Sequence, residues 1–220
     1  MRLKMVFAAL CLVLVVFVFT GCASSGLSID DFVQAYNKMN DANCVMKTVS
    51  YNVEGETLYN KKIMSRGTVA GQDVISLYEY NKRLNELTFE NVGKFEITES
   101  QKYYYNNQIG EVVDNEIIWR AGLLEELTNQ WGGGTRTSFK KSYITDIVIN
   151  KDLKTLEATV QEGYYQHILS SNVSDLTVKI VLDNAYKLSN IYYNYIYEGR
   201  SFEISLEISF KPVSIEIDLH

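Results

Sequence analysis

Ser201-Phe202-Glu203-Ile204-Ser205-Leu206-Glu207-Ile208-Ser209-Phe210 alternates polar and apolar residues without a break. A period of two places Phe202, Ile204, Leu206, Ile208 and Phe210 on one side of an extended strand, with the serines and glutamates on the other. Upstream, Leu176, Val178, Ile180 and Leu182 alternate with Asp175, Thr177, Lys179 and Val181. Ile191, Tyr193, Tyr195 and Tyr197 alternate in the same way with Tyr192, Asn194 and Ile196. Turns at Asp183-Asn184 and Glu198-Gly199-Arg200 separate the runs. The pattern is that of an antiparallel meander with one buried and one wet face. Pro212 ends the last long strand, and Val213–Leu219 reads as a final edge strand.

Moving towards the N-terminus, Tyr143–Ile149 and Thr155–Gln161 read as a hairpin around Asn150-Lys151-Asp152. Gly163–Ser171 between the two regions is irregular and carries His167. The segment Ile117–Trp131 breaks the rhythm. Ile117, Ala121, Leu124 and Trp131 fall on one helical face with Leu123 and Leu127 beside them, and Glu125 and Glu126 lie opposite. A short inserted helix is expected there, although Gly122 weakens it by about 1 kcal/mol relative to alanine. Gly132-Gly133-Gly134 gives it a flexible stop. That run is no phosphate loop, since no strand precedes it and no Lys-Ser/Thr follows.

Earlier strands are expected at Asn43–Val53, Thr57–Arg66, Val74–Tyr80, Lys94–Thr98, Lys102–Tyr105 and Glu111–Val113. In the first of these Val45, Val49, Tyr51 and Val53 share a face on which Lys47 is the exception. Before them, Ser28-Ile29-Asp30-Asp31 opens a helix with a capping-box-like start. Ile29, Phe32, Val33, Tyr36 and Met39 make its apolar stripe, which should lie against a sheet.

The chain begins with Arg2 and Lys4, then an apolar run from Met5 to Phe19 that ends at Thr20-Gly21-Cys22. A membrane span needs roughly 20 apolar residues, so the run is short for one. A positive start, a short apolar core and small residues before a break describe an export signal, residues 1–21. Phe19-Thr20-Gly21-Cys22 resembles the lipobox of bacterial lipoproteins, with Phe19 standing where leucine is usual. The resemblance implies that Cys22 receives a diacylglyceryl group and becomes the mature N-terminus, lipid-anchored to the cell membrane on its extracytoplasmic side. The other reading is an ordinary secretory signal with an incidental cysteine. Residues 22–26 then form a short tether, and 27–220 a single β-rich domain, which suits an all-β domain of about 200 residues.

Composition narrows the functional classes. The signal holds two of the 21 basic residues and none of the 27 acidic ones, so the formal charge moves from −6 to −8 on its removal. No basic run longer than a pair follows, which argues against nucleic acid or an anionic bilayer surface as the main partner. Of three cysteines, Cys11 leaves with the signal and Cys22 is lipidated, so Cys44 stands alone with no disulfide framework. Sixteen tyrosines and a single proline lean towards β structure.

A lipobox, one amphipathic helix and many antiparallel strands ending in the Leu176–Phe210 meander, then Pro212 and Ile215-Glu216-Ile217, resemble the lipoprotein carrier superfamily. This includes the LolA and LolB carriers and the LppX/LprG-type lipoproteins. The resemblance rests on element order and transfers no ligand residue. It implies a mainly β (α+β) fold: a curved antiparallel sheet or incomplete barrel packed on an N-terminal helix and a short inserted helix. It also implies an apolar cavity for a lipid or other hydrophobic ligand.

Chemistry that would mark an enzyme is missing. Outside the signal, His167 and His220 are the only histidines, and no nucleophile–base pairing, HExxH or CxxC spacing occurs. Asp114-Asn115-Glu116 reads as a turn in place of a calcium loop. No cofactor or metal is expected. The expected cavity residues are Trp119, Leu123, Leu124, Leu127 and Trp131, facing Tyr193, Tyr195 and Phe202 on the sheet. The alternative is a non-catalytic interaction module that binds an envelope or host protein through a tyrosine-rich face.

Overall fold

The computed structural model describes residues 26–53, 55–84, 95–130, 138–169 and 173–217. Among the described residues eleven strands form one curved, unclosed antiparallel sheet. They are β1 (Cys44–Val53), β2 (Glu56–Val69), β3 (Gln72–Leu84), β4 (Phe95–Tyr105), β5 (Gln108–Val113) and β6 (Glu116–Ala121), then β7 (Ile144–Asn150), β8 (Thr155–Val160), β9 (Ser174–Leu182), β10 (Leu188–Tyr197) and β11 (Arg200–Ser209). Their spatial order is β6-β5-β4-β3-β2-β1-β11-β10-β9-β8-β7. Two sequential meanders are therefore joined where the first strand meets the last, with Val45 opposite Ile208, Lys47 opposite Leu206 and Tyr51 opposite Phe202. Strands β6 and β7 are left as edges.

Four of the hairpins are closed by two residues, both at positive φ: Ala70-Gly71, Asn106-Asn107, Asp114-Asn115 and Glu198-Gly199. That backbone matches the right-handed twist of the flanking strands, and Asn, Asp and Gly tolerate it best. Local chemistry thus sets the register of these four pairs.

The unbroken alternation of the C-terminal meander becomes an apolar inner face. Leu176, Val178, Ile180, Leu182, Ile191, Tyr193, Ile204, Leu206 and Ile208 are all buried there, and Leu156, Ala158 and Val160 extend the layer onto β8. Helix α1 (Ile29–Asn37) lies on this layer with Phe32, Ala35 and Tyr36 buried. Burying one such large side chain contributes about 1.5–3 kcal/mol, which anchors a helix too short to persist alone. At its start the Asp31 carboxylate accepts from the Ser28 N–H at 2.8 Å and the Ser28 hydroxyl at 2.7 Å. At its end Asn37 exchanges two hydrogen bonds with the backbone of Phe139, at 2.8 and 3.1 Å, so residues 138–143 are tied down beside the helix.

The expected single helix over Ile117–Trp131 is corrected. Residues 116–121 are strand β6, and helix α2 spans only Leu124–Gln130. The Asp114-Asn115 turn folds the chain back onto β5, and β-branched Ile117 and Ile118 suit the pleat. Ile117 and Ala121 share a face in either geometry, because a spacing of four fits both periods. The runs 94–98 and 102–105 belong to one strand, β4. Gly163–Ser171 includes a 3-10 turn and the one-turn helix α3 (Tyr165–Ile168). Residues 212–217 join no strand; instead they cross the outer face of β2, where Val213 and Ile215 meet Gly67. Pro212 lacks the N–H that would let the chain continue the ladder. The signal segment, Cys22, Trp131 and the glycine run 132–134 lie outside the described residues. Among the described residues no helix is long and apolar enough to cross a membrane.

Candidate functional site

The inner face changes character as it passes from β1 to β4. By register, Met64, Leu77 and Tyr104 continue the apolar layer at the end where Leu127 of α2 meets it. Farther along the same strands the inward positions become polar. Glu79 accepts from Asn60 at 2.8 Å and Asn81 at 3.1 Å, and pairs with Lys62 at 3.5 Å. Asn60 also donates to Asn81. Partial burial pushes the Glu79 carboxyl up, but the Asn60 and Asn81 bonds and the Lys62 ammonium outweigh this and hold it below the usual glutamate value of 4.5. Beyond this network Phe202 carries an aromatic group, with Tyr51 at 4.8 Å, Tyr195 at 5.4 Å and Tyr197 at 6.1 Å between ring centres.

The main candidate is a cavity of about 770 Å³ at the start of α1. Leu27 and Ala35 border it from the N-terminal segment, Lys151 from the β7–β8 turn, Tyr186, Lys187 and Leu188 from the β9–β10 turn, and Phe210 from the end of β11. Lys38, Asp31, Gln34 and Asp41 complete the lining. The Lys187 ammonium sits 5.9 Å from the Phe210 ring centre. Lys151 reaches over the backbone at Gly26, where an added methyl would stand 2.5 Å from its Nζ. A half-open hollow with one apolar wall and a cationic rim can hold an amphiphile. A second, shallower groove of about 490 Å³ crosses β9, β10, β11 and β1 and is lined mainly by Asn, Thr, Ser and Glu side chains.

The expected site residues are dispersed. Leu127 is 1% exposed and part of the core, Leu124 is half-buried, and Leu123 is 64% exposed. Trp119 points away from them. Its register partner is Gly110, itself opposite Tyr103, and its ring lies over Gly110 and 6.4 Å from Tyr105. This is the outer face, because Tyr104, one residue away, belongs to the inner one. Trp119 and Leu127 therefore sit on opposite sides of the sheet and cannot line one cavity. Tyr193 is buried beneath α1, its hydroxyl 2.6 Å from that of Tyr36. Tyr195 and Phe202 stack at the rim of the 490 Å³ groove. Cys22 and Trp131 fall outside the described residues.

None of the described expected residues borders the 770 Å³ cavity. The ones that do were not singled out, because Leu27, Lys38, Lys151, Lys187 and Phe210 come from five separate places and meet only through the topology. His167 stacks on Tyr143 at 5.6 Å and lies tilted against Tyr164 at 5.9 Å. Cys44 is half-buried and accepts from Ser65 at 3.6 Å. Among the described residues no cluster of His, Cys, Asp or Glu could hold a metal ion.

No protein-family model and no curated protein matches the chain. Among solved structures, LprF from Mycobacterium bovis is similar over 88% of this chain and 99% of its own, at 12% identity and a TM-score of 0.43. The Mycobacterium tuberculosis lipoprotein LppX is similar over 86% and 100%, at 11% identity and a TM-score of 0.40. A DUF1329 family protein from Desulfovibrio piger covers 86% and 92%, at 9% identity and a TM-score of 0.21.

Proposed function

We propose that the protein is a non-catalytic lipoprotein of the cell envelope, anchored on the extracytoplasmic side through Cys22, that holds a lipid or another hydrophobic molecule. The observation that carries this reading is the cavity of about 770 Å³, with Leu27, Ala35, Leu188 and Phe210 on its apolar wall. Its size falls within the roughly 300–1,000 Å³ of small-molecule sites. It also opens beside Gly26, where the segment from Cys22 enters the domain. A ligand leaving the bilayer has a short path to it.

The test uses the chain with Cys22→Ala, which lacks the lipid attachment site and is purified without detergent. Native mass spectrometry showing a solvent-strippable lipid mass, reduced by Leu188→Asp, supports the reading. A clean apo mass from a lipid-replete envelope fraction counts against it.

A second reading rests on a different observation. The outer face of β2–β6 gathers Tyr59, Tyr78, Tyr80, Tyr103, Tyr105 and Trp119, all half-buried, and the Tyr59 and Tyr80 rings stack at 5.5 Å. Tyrosine offers large contact area at small entropic cost, so this face suits a protein partner. Substitutions here change partner capture and leave lipid content unchanged if that reading holds.

A further inference from the structure

We propose that the 770 Å³ cavity takes an anionic amphiphile, with Lys38, Lys151 and Lys187 holding a phosphate group and the apolar wall taking the stem; this deepens the hydrophobic-ligand reading and rests on it. Three lysines border this cavity on a chain whose formal charge is −6. Among the described residues none of the three is in an ion pair, whereas Lys62, Lys82, Lys102 and Lys179 each have a carboxylate partner. Two carboxylates border the same cavity. Asp31 and Asp41 together offset two of the three cations, which leaves one uncompensated. A phosphate supplies the missing charge, and lysine binds phosphate well as a point charge.

The two ends of the site are placed for such a molecule. Lys187 stands over the Phe210 ring, so its ammonium is at the rim and its stem runs along apolar surface. Leu188, the next residue, is buried beneath it. Lys151 lies against Gly26, four residues from Cys22, a span of roughly 14 Å when extended. With Cys22 anchored in a bilayer, the cationic rim lies near the headgroup layer, where a phospholipid presents its phosphate. The polar end of the ligand is therefore held at the mouth and the stem directed towards Ala35 and Leu188.

The Cys22→Ala chain and the same chain with Lys38→Gln, Lys151→Gln and Lys187→Gln are titrated calorimetrically with short-chain phosphatidylglycerol, phosphatidylcholine of equal chain length, and inorganic phosphate. Phosphatidylglycerol binding at least about tenfold tighter than phosphatidylcholine, with that margin lost in the triple variant, supports the proposal. Equal binding of the two lipids, or an unchanged margin in the variant, overturns it. Inorganic phosphate that binds alone and displaces phosphatidylglycerol overturns the amphiphile in favour of free phosphate. Native mass spectrometry of both chains separates this from the broader reading. Equal neutral lipid content in the two sinks the headgroup site and keeps the hydrophobic one, whereas absence of lipid and of any titration signal sinks both. Circular dichroism of the variant confirms that it is folded.

Discussion

The hydroxyls of Tyr36 and Tyr193 lie 2.6 Å apart in the core, a hydrogen bond between α1 and β10 across 157 residues of sequence. It ties the helix beside the cavity to the centre of the sheet. Tyr36→Phe or Tyr193→Phe removes the bond while keeping the ring, and a bond of this kind contributes about 0.5–1.5 kcal/mol. We expect either variant to be destabilised by about that amount. The double variant should lose less than the sum, with a coupling of similar size in a double-mutant cycle of urea unfolding. Strict additivity would show that the two hydroxyls do not support each other.

Gly67 and Val213 meet on the outer face, where a methyl on Gly67 would stand 2.7 Å from the Val213 carbonyl oxygen. Val74, opposite Gly67 on β3, is 1% exposed although it faces outward. The C-terminal segment crosses at this point. Gly67→Ala is expected to push it away, costing about 1–3 kcal/mol and raising amide exchange over residues 213–217. In a chain ending at Lys211 the sign reverses, since alanine is favoured over glycine within a strand by roughly 0.5–1 kcal/mol. The same loss in both chains would mean that the strand, and not the tail, objects to the methyl.

Much of this architecture was legible in the residues. The Ser201–Phe210 alternation became β11 with the expected side buried, and Ile29, Phe32, Val33, Tyr36 and Met39 all lie on or in the core. Period and turn chemistry are local, so one sequence carries them. Trp119 shows the limit. A spacing of four between Ile117 and Ala121 satisfies helix and strand alike, and only the Asp114-Asn115 turn, which sends the segment back along β5, decides between them. The cavity was illegible for a different reason. Lys38, Lys151 and Lys187 share no local pattern, and Lys38 reaches the other two only because α1 packs across β9 and β10.

Glu79 predicts an acid-limb signature. Its carboxyl is held below 4.5 in the folded chain, so it contributes stability at and above that pH. The contribution is lost as pH falls through the depressed folded value. The urea midpoint should therefore fall more steeply on the acid side of 4.5 for the native chain than for Glu79→Gln, with the two curves converging in acid. Parallel curves throughout would remove Glu79 from the linkage.

Leu127 and Trp119 make the final comparison, because the register separates two side chains that the sequence placed together. Leu127→Ala empties a core position and is expected to cost about 2–5 kcal/mol. Trp119→Ala strips the cover from Gly110 and a neighbour from Tyr105 on the other face. Residues with no shared partners add to within about 0.5 kcal/mol, so the double variant should lose the sum of the two single losses. A coupling well beyond that margin would mean that the two side chains share an environment after all. The binding readouts should divide in the same way. Trp119→Ala alters any partner that uses the tyrosine-rich face, and lipid bound beside α1 remains as in the parent chain.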